Sequence, residues 1–462
     1  MITSIEVDGF KTLSGFKLAL HPGLNILVGP NGSGKTNIIS FFEFLSHVIE
    51  RDPSEATSHL GGAGAVFRRV KDSYQPNITA AVTGCYPLGE ARFQFGRGSK
   101  AKDQKNIFAL YQYKFTILFS SELESVVFTT QHFHYKHVGK FIPANDFHSA
   151  AKEWDLDLEM KLENDLTVTT KVRSLKGEPA EYLPFSRAAK GEQIPKQAEE
   201  FFSRMNSAST AIPSLLMRFS PILLPLSDDI AGGQTYNIIP SRVKVLEDSA
   251  KPPGINSDGS GLSSTLYSLR KRNLSDEKPF WGFFTPVGQI ALKRPSFDTL
   301  KSYFQLANSS INDIEVSNDP FSNQLRLTFK IKNGDYTADV PLSLMSDGTL
   351  KWLTLLTAAL TASSVFSIEE PENYLHPTMQ GQFIKIMREI LFTERKHACT
   401  LMSTHSETLL NHCMPSELIV VSLNDGKTVS LRCKNEHDVS DEIARTGFGL
   451  GYYYIAGALN NE

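Results

Sequence analysis

Residues 29–36 read Gly29-Pro30-Asn31-Gly32-Ser33-Gly34-Lys35-Thr36, with an apolar run before them at 24–28 and another after them at 38–45. Few patterns constrain a chain more, because a strand, a glycine-rich turn and a helix must follow in that order for the loop to work. The glycines let successive backbone N–H groups turn inward around phosphate oxygens. Lys35 then reaches the β- and γ-phosphates of a nucleoside triphosphate, and the Thr36 hydroxyl meets a magnesium ion. The helix beyond directs its positive end at the same anions. Asn31, Gly32, Ser33, Gly34, Lys35 and Thr36 are therefore the expected phosphate cradle.

Composition narrows the partners. The net charge of −3 excludes a chain that coats nucleic acid by bulk electrostatics, so any DNA contact must be local. Short basic clusters occur at Arg68-Arg69-Val70-Lys71, at Lys100, Lys102 and Lys105, and at Arg270-Lys271-Arg272; these are the candidate DNA patches, and each reads as solvated surface rather than a DNA site. No apolar stretch approaches the roughly 18 residues needed to cross a bilayer, and the N-terminus has no basic-then-apolar leader, so a cytoplasmic protein with no membrane partner is expected. Cys85, Cys399, Cys413 and Cys433 are scattered, without the spacing of a disulfide framework or a zinc knuckle.

Alternation of apolar and polar residues at 2–10 and 16–28 predicts two strands that deliver the chain into the loop. It recurs at 78–83, 92–95, 109–119, 126–135, 156–162 and 166–172, a β-rich stretch. His132 and His134 share one strand face there, and with no third ligand at a suggestive spacing they read as a solvated face rather than a metal site. Between about 180 and 305 the alternation is lost among prolines, which predicts an irregular, partly helical insertion with helices at 197–205 and 262–272. Strands are expected to resume at 311–316, 324–332 and 336–342. No heptad run long enough for a coiled coil occurs.

Four further elements follow. Ser346-Asp347-Gly348 opens an amphipathic helix at 350–360, where the Ser346 hydroxyl and free N–H groups suit a γ-phosphate, although a plain N-cap explains the same residues. A buried strand at 364–368 ends in Glu369-Glu370-Pro371-Glu372, with Glu369 suited to magnesium and Glu370 to activating a water molecule. Leu375-His376-Pro377 turns into a helix at 380–391. A last strand at 399–402 ends in Ser403-Thr404-His405-Ser406, where His405 can donate a hydrogen bond to a γ-phosphate or to the attacking water.

This series, from Gly29–Thr36 through Ser346-Asp347-Gly348, Glu369-Glu370-Pro371-Glu372 and Leu375-His376-Pro377 to Thr404-His405-Ser406, resembles the ABC-type ATPases of the OLD, RecF and SMC group. Within that group it is most similar to the OLD-like ATPases of bacterial anti-phage defence loci such as the Septu and PARIS systems. The resemblance covers residues 1–110 and 310–415 and the interior only weakly. It implies an α/β fold: an ABC-type P-loop ATPase head with a mixed central sheet, an antiparallel β-subdomain and an inserted, partly helical lid region. The corresponding divisions are residues 1–180, 181–309 and 310–462. It implies ATP and Mg2+ as ligands, Lys35 and Thr36 on phosphate and metal, Ser346 and Gly348 as the signature, Glu369 as the acidic metal-side residue, Glu370 as catalytic base, Leu375 to Pro377 as the D-loop and His405 as the switch histidine. Most of the wider class carry Asp where this chain has Glu369, and the extra methylene leads to an expectation of slow hydrolysis. Gln75 is the candidate for the Q-loop glutamine.

In the family resembled, the loop and the signature of one subunit face apart and a second subunit completes each ATP site, so a head-to-tail homodimer is the expected active form. OLD proteins carry a TOPRIM nuclease domain after the ATPase. The 57 residues that follow His405 are too few for one, which leads to the expectation that this chain does not cut DNA itself and works with a separate effector, a nuclease or toxin. A RecF-like ATPase that clamps DNA is the alternative. A transporter subunit fits less well, since the signature lacks the Gly-Gln continuation usual there.

Overall fold

The computed structural model describes residues 1–88, 107–120, 122–143, 155–164, 166–176, 193–219, 223, 225–274, 296–334, 336–433 and 436–457. A six-stranded sheet lies at the centre, in the order Gln234–Tyr236, Val365–Glu369, Cys399–Ser403, Gly23–Val28, Leu418–Asn424 and Lys427–Arg432. The first five strands are parallel, and the last is an antiparallel edge. Near-continuous apolar runs suit such strands because both faces are covered. Successive side chains go to opposite sides: Leu27, Val365, Leu401 and Ile419 join one core, and Ile26, Val28, Phe366, Ile368 and Met402 join the other.

The first core packs the helix Lys35–Glu50 between the central sheet and a seven-stranded antiparallel sheet, ordered Val168–Lys176, Asp155–Leu162, Ser125–Val138, Phe108–Ser120, Asn77–Pro87, Ile2–Asp8 and Phe16–Ala19. This is the expected β-rich stretch; the strand expected at 92–95 lies outside the described residues. The second core holds the helices Leu262–Leu274, Phe297–Ala307, Asp347–Thr361 and Pro377–Thr393 with a four-stranded sheet that contains Ile311–Asp319, Gln324–Asn333 and Tyr336–Pro341.

One expectation needs correcting. The run at 16–28 is two strands in two sheets, Phe16–Ala19 and Gly23–Val28, rather than one. Pro22 has no N–H to offer a ladder, and Gly23 takes φ +94°, so the chain must turn there. Buried Asn25 clamps the turn by accepting from His21 N at 3.1 Å and donating to His21 O at 2.9 Å.

The interior segment is bound into both layers. Ile212–Phe219 and Pro225–Ile230 bury Leu215, Leu216, Leu226 and Ile230 in the first core. Beyond them Tyr236, Ile238, Val243, Leu262 and Leu266 enter the second. Gln234–Tyr236 pairs in parallel with Phe366, Ser367 and Ile368, forming the edge of the central sheet. No described helix is long and apolar enough to cross a membrane.

Candidate functional site

The C-terminal ends of the parallel strands form a crest, the place where open α/β sheets bind ligands. Register sets Glu369 opposite Ser403, and Ser403 opposite Leu27, so the glutamate pair, the histidine segment and the phosphate loop emerge side by side. They line one pocket, formed by Asn31, Gly32, Ser33, Gly34, Lys35, Thr36 and Asn37 with Asn237, Glu369, Glu370, Ser403 and His405.

The loop is shaped by close packing behind it. Gly34 adopts φ +103°, and a Cβ there would run into the Thr428 hydroxyl, while one at Gly29 would run into the Val421 carbonyl. Thr428 belongs to the antiparallel edge strand; its hydroxyl is hydrogen-bonded to that of Thr12 at 2.6 Å and lies 3.3 Å from Ser33 O, an acceptor for its hydrogen. The helix Lys35–Glu50 starts with no side chain accepting from its first-turn N–H groups. An uncapped helix start on a pocket, joined by a buried Ser33 hydroxyl without a partner, has the donors that a phosphate needs. Lys35 lies folded back, donating to Gly29 O at 2.8 Å and Pro30 O at 3.1 Å. Burial holds its pKa below the ordinary lysine value, and the Glu370 charge opposes that shift.

On the facing wall, burial raises the Glu369 pKa, and the charges of Glu370 and Glu43 push it the same way, against a hydrogen bond from Asn237 and the charge of Lys11. A carboxylate short of positive charge, in a pocket that Thr36 also lines, fits a divalent cation, and these two residues would hold it. Glu370 sits at φ +44°, left-handed backbone that a non-glycine residue adopts at a cost of about 1–2 kcal/mol. Its N–H donates to Ser403 O at 3.0 Å, its carbonyl accepts from Lys351 Nζ at 2.9 Å, and its Oε2 accepts from Asn373 Nδ2 at 2.8 Å. Glu372 orients the histidine segment, since its Oε1 accepts from Thr404 Oγ1 and from His405 N, both at 2.9 Å.

The structure thus gathers Asn31 to Thr36, Glu369, Glu370 and His405. Ser346 and Gly348 do not line this pocket. Ser346 is exposed and caps the helix Asp347–Thr361, accepting from Thr349 N at 3.3 Å. Gly348 is needed for a close approach, because a Cβ there would stand 2.7 Å from Tyr374 O. Gln75 is also absent from the pocket lining; its amide donates to Asp8 Oδ2 at 2.7 Å. His132 and His134 each meet an aspartate on the next strand, Asp157 and Asp155, at 2.6 Å, as a polar sheet face does.

Three further residues contribute to the site. Asn237 follows a three-residue edge strand too short for periodicity to reveal. Lys351 stands out as a cation inside an apolar helix and is found buried, with its ammonium 5.7 Å from the Tyr374 ring centroid. Glu372 lies within the glutamate motif, but only the fold brings it to Thr404. Of the basic clusters, Arg69 and Lys71 are exposed on a small hairpin, Arg270 is bonded to Val316 O, Lys271 covers the Tyr267 ring at 4.8 Å, and Lys100, Lys102 and Lys105 lie outside the described residues.

A family model described as "AAA domain, putative AbiEii toxin, Type IV TA system" matches residues 24–411. The DNA replication and repair protein RecF of Erwinia tasmaniensis is 44% identical over 73 residues, 16% of this chain and 18% of that protein. RecF of Symbiobacterium thermophilum is 33% identical over 75 residues, 15% of this chain and 20% of that protein. The match therefore spans no more than a fifth of the length of these curated relatives. Among solved structures, an SMC head bound to the C-winged helix domain of ScpA aligns with 94% of this chain and 99% of its own at 13% identity and a TM-score of 0.41. The SMC head domain from Thermotoga maritima aligns with 93% and 98% at 11% identity and a TM-score of 0.36.

Proposed function

This chain belongs to that AAA-domain family, and from that membership we propose that it binds and hydrolyses ATP as a switch, works as a head-to-tail pair, and is read by a separate effector protein. The observation that carries the proposal is the one pocket that unites the phosphate loop with Glu369, Glu370 and His405 while Ser346, at its helix start, lies outside the lining.

Lys35 leaves the Gly29 and Pro30 carbonyls for the β- and γ-phosphate oxygens, and the loop amides take up the remaining charge. Thr36 and Glu369 would hold Mg2+, which would neutralise charge that builds on the phosphate oxygens. Glu370 accepts a proton from a water molecule whose oxygen forms a bond to the γ-phosphorus as the bond to the β,γ-bridging oxygen breaks, giving ADP and phosphate. His405, oriented through Glu372, donates to the γ-phosphate and so distinguishes the two nucleotide states. Ser346 and Gly348 of a second copy cover the open side of the same phosphate. ATP then favours the closed pair by the difference between its affinities for the closed and open arrangements.

The effector reading draws on the resemblance to OLD-like defence ATPases. The family description, which names a putative toxin and a toxin–antitoxin system, is in keeping with a two-protein device. A nuclease or toxin bound by one nucleotide state and freed by the other is the proposed client, in anti-phage defence. The purified chain should hydrolyse ATP slowly, lose hydrolysis on Lys35→Ala, and leave plasmid DNA intact without a partner; efficient cutting by the chain alone would refute the separate effector. A second reading, a RecF-like DNA clamp, is favoured by the local RecF identity and the exposed hairpin of Arg69 and Lys71. Tight ATP-dependent duplex binding in a gel shift at moderate salt supports the clamp, and co-purification with a neighbouring gene product supports the switch.

A further inference from the structure

Behind the phosphate loop, Glu43 and His47 stand four residues apart on the helix Lys35–Glu50, a spacing that sets both side chains on one face. The next helix, Pro53–His59, folds back along it and brings His59 to the same place. Three candidate ligand atoms, one from each of Glu43, His47 and His59, lie within 4.8 Å of one another. His59 Nε2 and Glu43 Oε1 are 3.2 Å apart, and the two imidazole rings are 4.0 Å centroid to centroid. His47 Nδ1 is buried and without a hydrogen-bond partner.

We infer that Glu43, His47 and His59 form a binding site for a borderline transition-metal dication of the zinc class. Two imidazoles and a carboxylate are a ligand set suited to such an ion, with a fourth position left for water. Metal–ligand bonds of about 2.0–2.1 Å in a tetrahedron set neighbouring donor atoms about 3.3 Å apart. The His59–Glu43 pair already meets that spacing, and side-chain rotation closes the rest. The ion also gives a role to two histidines stacked beside a carboxylate and to an imidazole nitrogen that otherwise lacks a partner. Half-exposed His59 leaves a path for entry from solvent. Arg51 is bonded to Glu55 at 3.0 Å, and Lys11, which feels the charges of Glu43 and Glu369, lies over the Phe10 ring. The site is separate from the magnesium position, since Glu43, His47 and His59 do not line the nucleotide pocket.

The test uses the full chain, stripped by chelation and free of nucleotide. Zn2+ followed by calorimetry is expected to bind at one equivalent per chain, and Co2+ to give the intense visible absorption of a tetrahedral complex with nitrogen ligands. His59→Ala should weaken Zn2+ binding at least tenfold while melting, in chelator, within a few degrees of the parent. Glu43→Gln should weaken it as well. Glu369→Gln should keep the equivalent, which shows that the ion is not held in the nucleotide pocket. No stoichiometric binding, or binding that survives both His59→Ala and Glu43→Gln, overturns the assignment.

Discussion

Replacing Lys351 by methionine separates stability from catalysis in this site. The lysine is 1% exposed, and burial lowers its pKa from 10.5 to about 8 even though Glu372 and Glu370 favour its charge. At pH 7 the group is charged in both the folded and unfolded chain, so a depression of that size costs the fold about 3 kcal/mol. Because the folded pKa is the lower one, the unfolded chain binds more protons between about pH 8 and 10.5, and the penalty fades as pH rises through that window. Methionine fills similar volume without charge. Lys351→Met should therefore equal or exceed the parent in stability at pH 7, and the parent should gain on the variant when both melts are repeated at pH 9.5. Hydrolysis should fall, because Lys351 Nζ bonds the carbonyl of Glu370, whose backbone is held at φ +44°. A charge-assisted hydrogen bond worth about 1.5–3 kcal/mol, spent on the position of that peptide, corresponds to a loss of roughly tenfold to a hundredfold in kcat. Paired thermal melts and phosphate-release assays read both quantities. A variant that melts well below the parent at pH 7 but hydrolyses ATP at the parental rate would refute the reasoning on both sides.

Other outcomes follow from the same geometry. Glu370→Gln should bind ATP with near-parental affinity but hydrolyse it at least a hundredfold more slowly, and the chain of 51.3 kDa should then run at twice that mass in light scattering with ATP. Glu372→Ala removes the acceptor of the Thr404 hydroxyl and the His405 N–H and should lower kcat about tenfold while moving KM little. Gly348→Ala drives a Cβ to 2.7 Å from Tyr374 O and should cost about 1–3 kcal/mol in a denaturant melt. Asn237→Ala should shift the magnesium concentration needed for half-maximal hydrolysis, with folding stability changed by about 1 kcal/mol or less, since it takes one hydrogen bond from Glu369.

What could be read from the sequence was what local chemistry writes into consecutive residues. The loop Gly29 to Thr36, the strand ending in Glu369 and Glu370, and the segment ending in His405 are each contiguous, and each carries an apolar run that predicts its strand. Long alternating strands such as Phe108–Ser120 and Ser125–Val138 were equally visible. The break at Pro22 and Gly23 had a signal, a proline without an N–H beside a glycine, yet the apolar run on either side concealed it. Asn237 had none, since its place follows from the pairing of Gln234–Tyr236 with a strand more than a hundred residues away. Gln75 lies between the loop and the next strand, and sequence position does not show that Asp8 holds its amide. Thr428 at the back of the loop was likewise invisible, being almost 400 residues from the glycine it packs against.

In the proposed pair each ATP lies between Lys35 of one subunit and Ser346 of another. The most direct measurement mixes two variants that are each inactive alone, Lys35→Ala and Ser346→Arg. A mixed pair contains one site built from the intact loop of the Ser346→Arg chain and the intact Ser346 of the Lys35→Ala chain, so hydrolysis should reappear on mixing and follow the proportion of mixed pairs. If the mixture stays as inactive as its parts while light scattering shows that the subunits have exchanged, ATP is not shared between chains and the account is contradicted.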